Sequence, residues 1–214
     1  MSKLLLILLS SFVLFSCNEE KTETKQVSIT EETQEGCIYS VNPKKLKFEW
    51  AAFKTTEKIR VNGTFNKIEL LNKKAEESIP ELLLDTRFII HLNSLNSANK
   101  IRDKKIIDLF FGNLTNKAEF LGYIKDVKGD NKKGEALVVL EINGMKELVN
   151  MKYKMKNAHL KLAGDLDLLE WKTRDSFEAI NTACKELHTG KDGVSKTWTD
   201  INIIISTVLN KDCK

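Results

Sequence analysis

The residues able to do chemistry here are few, and their spacing argues against most of the chemistry they could do. His91, His159 and His188 are the only histidines, and they lie far apart in the chain. They do not form the close pairs that hold zinc, so scattered strand or surface histidines are the simpler expectation. No Cys-x-x-Cys occurs. No Gly-x-Ser-x-Gly presents a serine nucleophile, and no Walker-type or Gly-x-Gly-x-x-Gly loop stands after a strand to cradle a phosphate. The carboxylate pair Glu76-Glu77 sits in a charged segment where solvation explains it. Arg102-Asp103 opens an expected helix, either as a local ion pair or cap, or with Arg102 facing the phosphate of a ligand. These residues give no catalytic constellation, and the chain is expected not to be an enzyme and to carry no cofactor or metal.

Cys17 is the exception. Lys3 precedes a short apolar run, Leu4 to Leu9 and Phe12 to Phe15, broken only by Ser10 and Ser11. A bilayer span needs about 20 apolar residues, so the run is too short to cross, but it suits the core of a secretory signal. It ends in Leu14-Phe15-Ser16-Cys17, which resembles a lipobox, where the cysteine sulfur receives diacylglycerol. Residues 1–16 are therefore expected to be a signal peptide and Cys17 the lipid-attached first residue of an exported, envelope-located protein, periplasmic or outer-membrane associated. Several acyl chains on one residue would hold it firmly to a membrane.

Residues 17–36 are polar and charged, with almost nothing to bury, and read as a flexible tether. The rest, 37–214, is one domain of ordinary size. The formal charge is +4, with Lys and Glu interspersed, so nothing calls for nucleic acid. Besides Cys17 the mature chain holds Cys37, Cys184 and Cys213. In an oxidising compartment this implies one bridge and one free thiol.

Alternation of period two dominates from residue 37 onward and predicts an antiparallel β domain. Leu46, Phe48 and Trp50 alternate with lysine and glutamate. Gly63 marks a bulge or a close approach. Asn143-Gly144 predicts a type I′ hairpin, which sets Ile142 opposite Met145, Val138 opposite Val149 and Ala136 opposite Met151. Those residues, with Leu140, Tyr153 and Met155, share an apolar face that Glu147 interrupts, while Lys146, Lys152, Lys154 and Lys156 share the other. Further strands are expected near 117–127, 158–168 and 198–209. Two helices are expected. One runs from Asn99 to Phe111. The other runs from Asp175 to Leu187, with Asp175 and Glu178 as a capping box and Phe177, Ile180, Cys184 and Leu187 as its stripe.

The order Val61-x-Gly63-Thr64-Phe65, Ser94-Leu95-Asn96, Arg102-Asp103 with Phe110-Phe111, Gly134-x-Ala136-Leu137 and the Asn143-Gly144 hairpin resembles the YceI-like family. The segment from Phe177 through Cys184, His188 and Lys196-Thr197-Trp198 is similar to a C-terminal version seen in lipoprotein members. Lys104 and Lys105 follow Arg102-Asp103 here, where many relatives have histidine or another polar residue. The resemblance implies an exported, lipocalin-like protein: an eight-stranded antiparallel up-and-down β-barrel with helical caps and an apolar tunnel for a polyisoprenoid lipid. Its walls are expected from Phe48, Trp50, Phe65, Phe88, Phe110, Phe111, Phe120, Val138, Leu140, Val149, Met151 and Tyr153, with Arg102 at the head group. The expected bridge is Cys184–Cys213; Cys37–Cys213 is the rival, because the first and last strands of a closed barrel are neighbours. The alternative function is an envelope interaction or stress-tolerance protein with a filled barrel.

Overall fold

The structure is a computed structural model and describes residues 36–213. The expected signal peptide, Cys17 and nearly all of the expected tether lie outside the described residues. The strands are β1 (Cys37–Val41), β2 (Lys47–Lys54), β3 (Ile59–Phe65), β4 (Ile68–Leu70), β5 (Ala75–Glu76), β6 (Arg87–His91), β7 (Leu95–Asn96), β8 (Glu119–Gly129), β9 (Lys133–Ile142), β10 (Met145–Lys156), β11 (His159–Asp167) and β12 (Asp200–Cys213). Among them lie the helices α1 (Ile79–Leu83), α2 (Lys100–Lys105), α3 (Arg174–Ala183) and α4 (Lys185–His188).

The antiparallel sheet runs in the order β4-β6-β8-β9-β10-β11-β12-β2-β3-β7, with β1 paired to β12 and β5. It curls strongly, but it is not the closed eight-stranded up-and-down barrel expected from the sequence. The departure lies at the seam where β3 passes to β4 and β6 to β7. Asn66 and Lys67 interrupt one side and the 3-10 turn Leu92–Ser94 the other. Between the paired residues Phe65 and Leu95 and the pair Ile68 and Ile90, only two backbone bonds cross: Asn66 N–H to Ser94 O at 3.0 Å and His91 N–H to Lys67 O at 3.2 Å. The turn carries Leu92 into the core, where it is almost wholly buried. The ladder is broken to bury that side chain.

The hairpin at residues 143–144 forms as its residues require. Asn143 has φ 53° and Gly144 φ 73°, the left-handed pair of a type I′ turn. Ile142 faces Met145, Val138 faces Val149 and Ala136 faces Met151. Asn143 does more than turn the chain. Its side-chain carbonyl accepts from the Thr115 N–H at 2.8 Å and its amide donates to Trp171 O at 3.1 Å. Trp171, fully buried, donates its indole N–H to Leu140 O at 2.9 Å. Gly63 is a close approach rather than a bulge: it pairs with Trp50, whose ring occupies the space a Cβ would need.

The helices depart from the pattern in three ways. The first begins at Asn99, whose side chain accepts from the Arg102 N–H at 3.0 Å, but after Lys105 it widens into a π-helical turn, Ile106–Phe110. The second begins one residue early, at Arg174, with no capping box, because the hydroxyl of Thr173 donates back to Leu168 O at 2.8 Å instead. It also breaks at Cys184 before α4. The third departure is α1, which the apolar periodicity does not announce. Its signal is a cap: the Ser78 hydroxyl bonds the Glu81 carboxylate at 2.7 Å and receives the Glu81 N–H at 3.3 Å, with Pro80 in the first turn.

The disulfide is Cys37–Cys213, between residues directly opposed on β1 and β12. The expected Cys184–Cys213 bridge is not formed, and Cys184 is a free, buried thiol. Geometry explains the correction. Cys184 lines the same cavity as Ile201 at the beginning of β12, whereas Cys213 ends that strand, roughly 40 Å along it from Ile201 at the usual rise per residue.

Candidate functional site

Between the concave face of the sheet and the two helical segments lies a cavity of about 520 Å³. This is the size at which a pocket encloses one small ligand or part of a long one. From the sheet come Phe48, Trp50, Ala52, Val61 and Phe65 on β2 and β3, with Ile201 and Ile203 on β12. The alternation of β2 and β3 supplies this wall, since every second residue faces inward. From the helical side come Ile106, Phe110 and Phe111, and then Phe177, Ile180, Cys184 and Leu187, the stripe expected on the second helix. Ile106 and Phe110, four apart, share a face as on any α-helix, and the wider π-helical turn brings Phe111, five apart from Ile106, to the same cavity.

Aromatic rings line one side in edge-on contact. Phe48 meets Phe65 at 5.6 Å between ring centres, Phe111 meets Phe120 at 5.7 Å, and Phe110 meets Phe177 at 5.0 Å, each pair steeply inclined. Edge-to-face contacts of this kind add stability beyond burial and fix the rings in place. The result is a mainly apolar container with a minority of polar side chains in its wall.

Of the expected lining residues, Phe48, Trp50, Phe65, Phe110, Phe111, Phe120 and Leu140 border the cavity. Phe88, Val138, Val149, Met151 and Tyr153 do not. They are buried in the packed core. Tyr153 explains part of this: its ring packs on Gly134 and its hydroxyl donates to Asp130 O at 2.8 Å, filling that end of the sheet. The apolar face of the 143–144 hairpin is thus mostly solid, and the open volume lies toward the helices.

Arg102 borders the cavity, but its guanidinium is engaged locally. Nε donates to Ser97 Oγ at 2.8 Å and a terminal nitrogen donates to Ser97 O at 2.5 Å, while Asp103 accepts from the Ser97 N–H at 2.8 Å. The structure therefore fits the local role for Arg102-Asp103. Lys54, Lys105, His188 and Thr197 border the same cavity; the sequence named the last three separately and never as a group. Lys54 donates to Leu187 O at 3.0 Å and Lys105 to Ala183 O at 3.2 Å, each on a carbonyl at or near a helix C-terminus, where a cation is favoured. Lys105 also lies 3.9 Å from the Cys184 sulfur. His188 Nδ1 is 2.6 Å from Thr197 Oγ1, which itself donates to Asn181 Oδ1 at 3.0 Å. That network assigns Nδ1–H as the donor and leaves Nε2 unprotonated. Burial, with the nearby Lys54 and Lys105 ammonium groups, holds the imidazole below its ordinary value. Single lysines among many, and a cysteine assigned to a bridge, gave no sequence signal for this grouping.

No family model and no curated protein matches the chain. Solved structures do. A polyisoprenoid binding domain from Saccharophagus degradans, implicated in plant cell wall breakdown, aligns over 82% of this chain and 98% of its own, with 10% identity and a TM-score of 0.58. BcnA of Burkholderia cenocepacia aligns over 79% of this chain and 98% of its own, with 16% identity and a TM-score of 0.50. A YceI protein of Campylobacter jejuni aligns over 72% and 86%, with 19% identity and a TM-score of 0.49. The first two likenesses show the fold: the chain shares the curled antiparallel β architecture of the Saccharophagus and Burkholderia proteins.

Proposed function

We propose that this protein binds a long amphiphilic isoprenoid lipid, of polyprenyl or quinone type, in the cavity, and carries or scavenges it without chemistry. The observation that carries the proposal is the cavity itself, about 520 Å³ and walled mainly by aromatic and aliphatic side chains. Enclosing apolar chain there contributes about 25 cal/mol per Å² removed from water, with no need for a specific polar contact. The structural neighbour described as a polyisoprenoid binding domain supports the same class of ligand. The head group stays at the mouth, beside Lys54 and Lys105. A filled interior serving protein contacts alone is the weaker reading, because the interior is not filled.

Lipid attachment at Cys17 and export to the envelope belong to the same proposal, supported by the Leu14-Phe15-Ser16-Cys17 sequence. Among the described residues no helix is long and apolar enough to cross a membrane. Ile180→Trp tests the cavity. The larger ring enters open space, so wild-type circular dichroism and melting are expected together with loss of prenyl-lipid binding in detergent. A folded Ile180→Trp protein that binds prenyl lipid as well as wild type removes the cavity from the account.

A further inference from the structure

The rim of the cavity carries features that holding a ligand does not require. Ile101 on α2 and Leu187 on α4 both border the opening, yet they are 75% and 62% exposed, the two most exposed large apolar side chains among the described residues. Single exposed apolar residues are ordinary. Two on separate helices flanking an apolar opening form a pair of projections instead. Around them basic side chains outnumber acidic ones: α2 carries Lys100, Arg102, Lys104 and Lys105 against Asp103, and α4 carries Lys185 against Glu186. Lys54 and Lys105 border the opening and Lys196 lies over the Trp198 ring at 3.6 Å. None of the three forms an ion pair among the described residues, whereas Lys58 and Lys104 are matched to Asp200 and Asp108. Trp198 borders the cavity with its indole N–H on Thr55 O at 2.7 Å, an amphipathic ring at the boundary between apolar and polar surroundings.

We propose that the mouth of the cavity docks on an anionic lipid bilayer, with Ile101 and Leu187 entering the head-group layer and Lys105 and Lys196 meeting the phosphates. The complementarity of charge selects this occupant. A second copy of the chain would bring the same lysines against one another, and two single apolar projections on separate helices do not make the continuous patch that a protein interface core needs. Docking in this pose lets a ligand pass between bilayer and cavity without crossing water. The inference deepens the proposed lipid binding and rests on it for its purpose, but not for its test.

The test is hydrogen exchange on the full-length chain, with phosphatidylcholine vesicles that contain or lack phosphatidylglycerol and no isoprenoid. The readout is local, so any affinity of the N-terminus for the vesicles does not obscure it. Protection is expected over 99–105 and 184–188 with the anionic vesicles alone, and it should vanish in high salt. Ile101→Ser combined with Leu187→Ser should lose that protection while β9 and β10 keep theirs, which shows the fold intact. Lys196→Gln should weaken the effect about fivefold, the usual contribution of one lysine at an anionic surface. Exchange unchanged by either vesicle overturns the proposal, as does equal protection by neutral vesicles. Protection that grows with protein concentration in the absence of vesicles would assign the face to a second copy. Lipid retention in detergent, where no bilayer exists, reports on the cavity alone and so separates failure of docking from failure of ligand binding.

Discussion

At the scale of single residues, His188 borders the cavity with Lys54 and Lys105 near it. Burial and two ammonium groups oppose its protonation in the folded protein, while the unfolded chain binds a proton with the ordinary value near 6.5. Between the depressed folded value and that ordinary value the unfolded state holds more protons. The contribution to stability is therefore complete above the ordinary value and diminishes as pH falls toward the folded one. NMR of the imidazole should show His188 titrating below the ordinary value. Acidification from neutral pH should lower the melting temperature of wild type more than that of His188→Gln. A His188 that titrates at the ordinary value removes the cause. Met151 makes a second case at this scale. It is almost fully buried yet does not border the cavity. Met151→Ala should therefore cost about 2–5 kcal/mol of stability in denaturant melts and leave prenyl-lipid binding unchanged in the protein that remains folded.

At the scale of elements, β1 depends on few partners. It pairs with the end of β12 and with the two-residue β5, and the Cys37–Cys213 bridge closes a loop across 176 positions. Removing the bridge with Cys37→Ser and Cys213→Ser should cost about 2–5 kcal/mol, and β1 should then exchange its amides before β9 and β10 do. Equal protection of β1 with and without the bridge would contradict this. The elements also show what was legible beforehand. The hairpin at residues 143–144 was readable to the residue, because a two-residue turn with a fixed register propagates along both strands. The inward face of β2 was readable for the same reason. The pairing of Cys213 was not, because it depends on which end of the 14-residue β12 lies near the helices, and alternation carries no such information. The break of the ladder at Leu92–Ser94 was hidden likewise, since inward apolar residues look the same whether a strand continues or turns.

At the scale of the whole molecule, the division between solid and open interior decides the function. The hairpin face around Val138, Val149, Met151 and Tyr153 is packed, whereas the volume bordered by β2, β3, β12 and the helices is open. Sequence alone marked both regions as apolar and could not separate them, because packing depends on what lies across the core. Tyr153 reaching Asp130 fills one end, while the helical stripe of Phe177, Ile180 and Cys184 stands back from the sheet at the other. Cys17 bears on the whole molecule from outside the described residues. If it carries the anchor, Cys17→Ser should release the protein from membranes in a carbonate wash, and a variant that stays bound would contradict that attachment.

The central claim, that the cavity holds an isoprenoid lipid, is tested most directly by native mass spectrometry of the protein purified from its own membranes. The account predicts a non-covalent adduct of one lipid per chain, lost on unfolding, identified as an isoprenoid by fragmentation and absent from Ile180→Trp. A wild-type protein whose mass is that of the polypeptide and any covalent anchor alone, after gentle extraction, would contradict it.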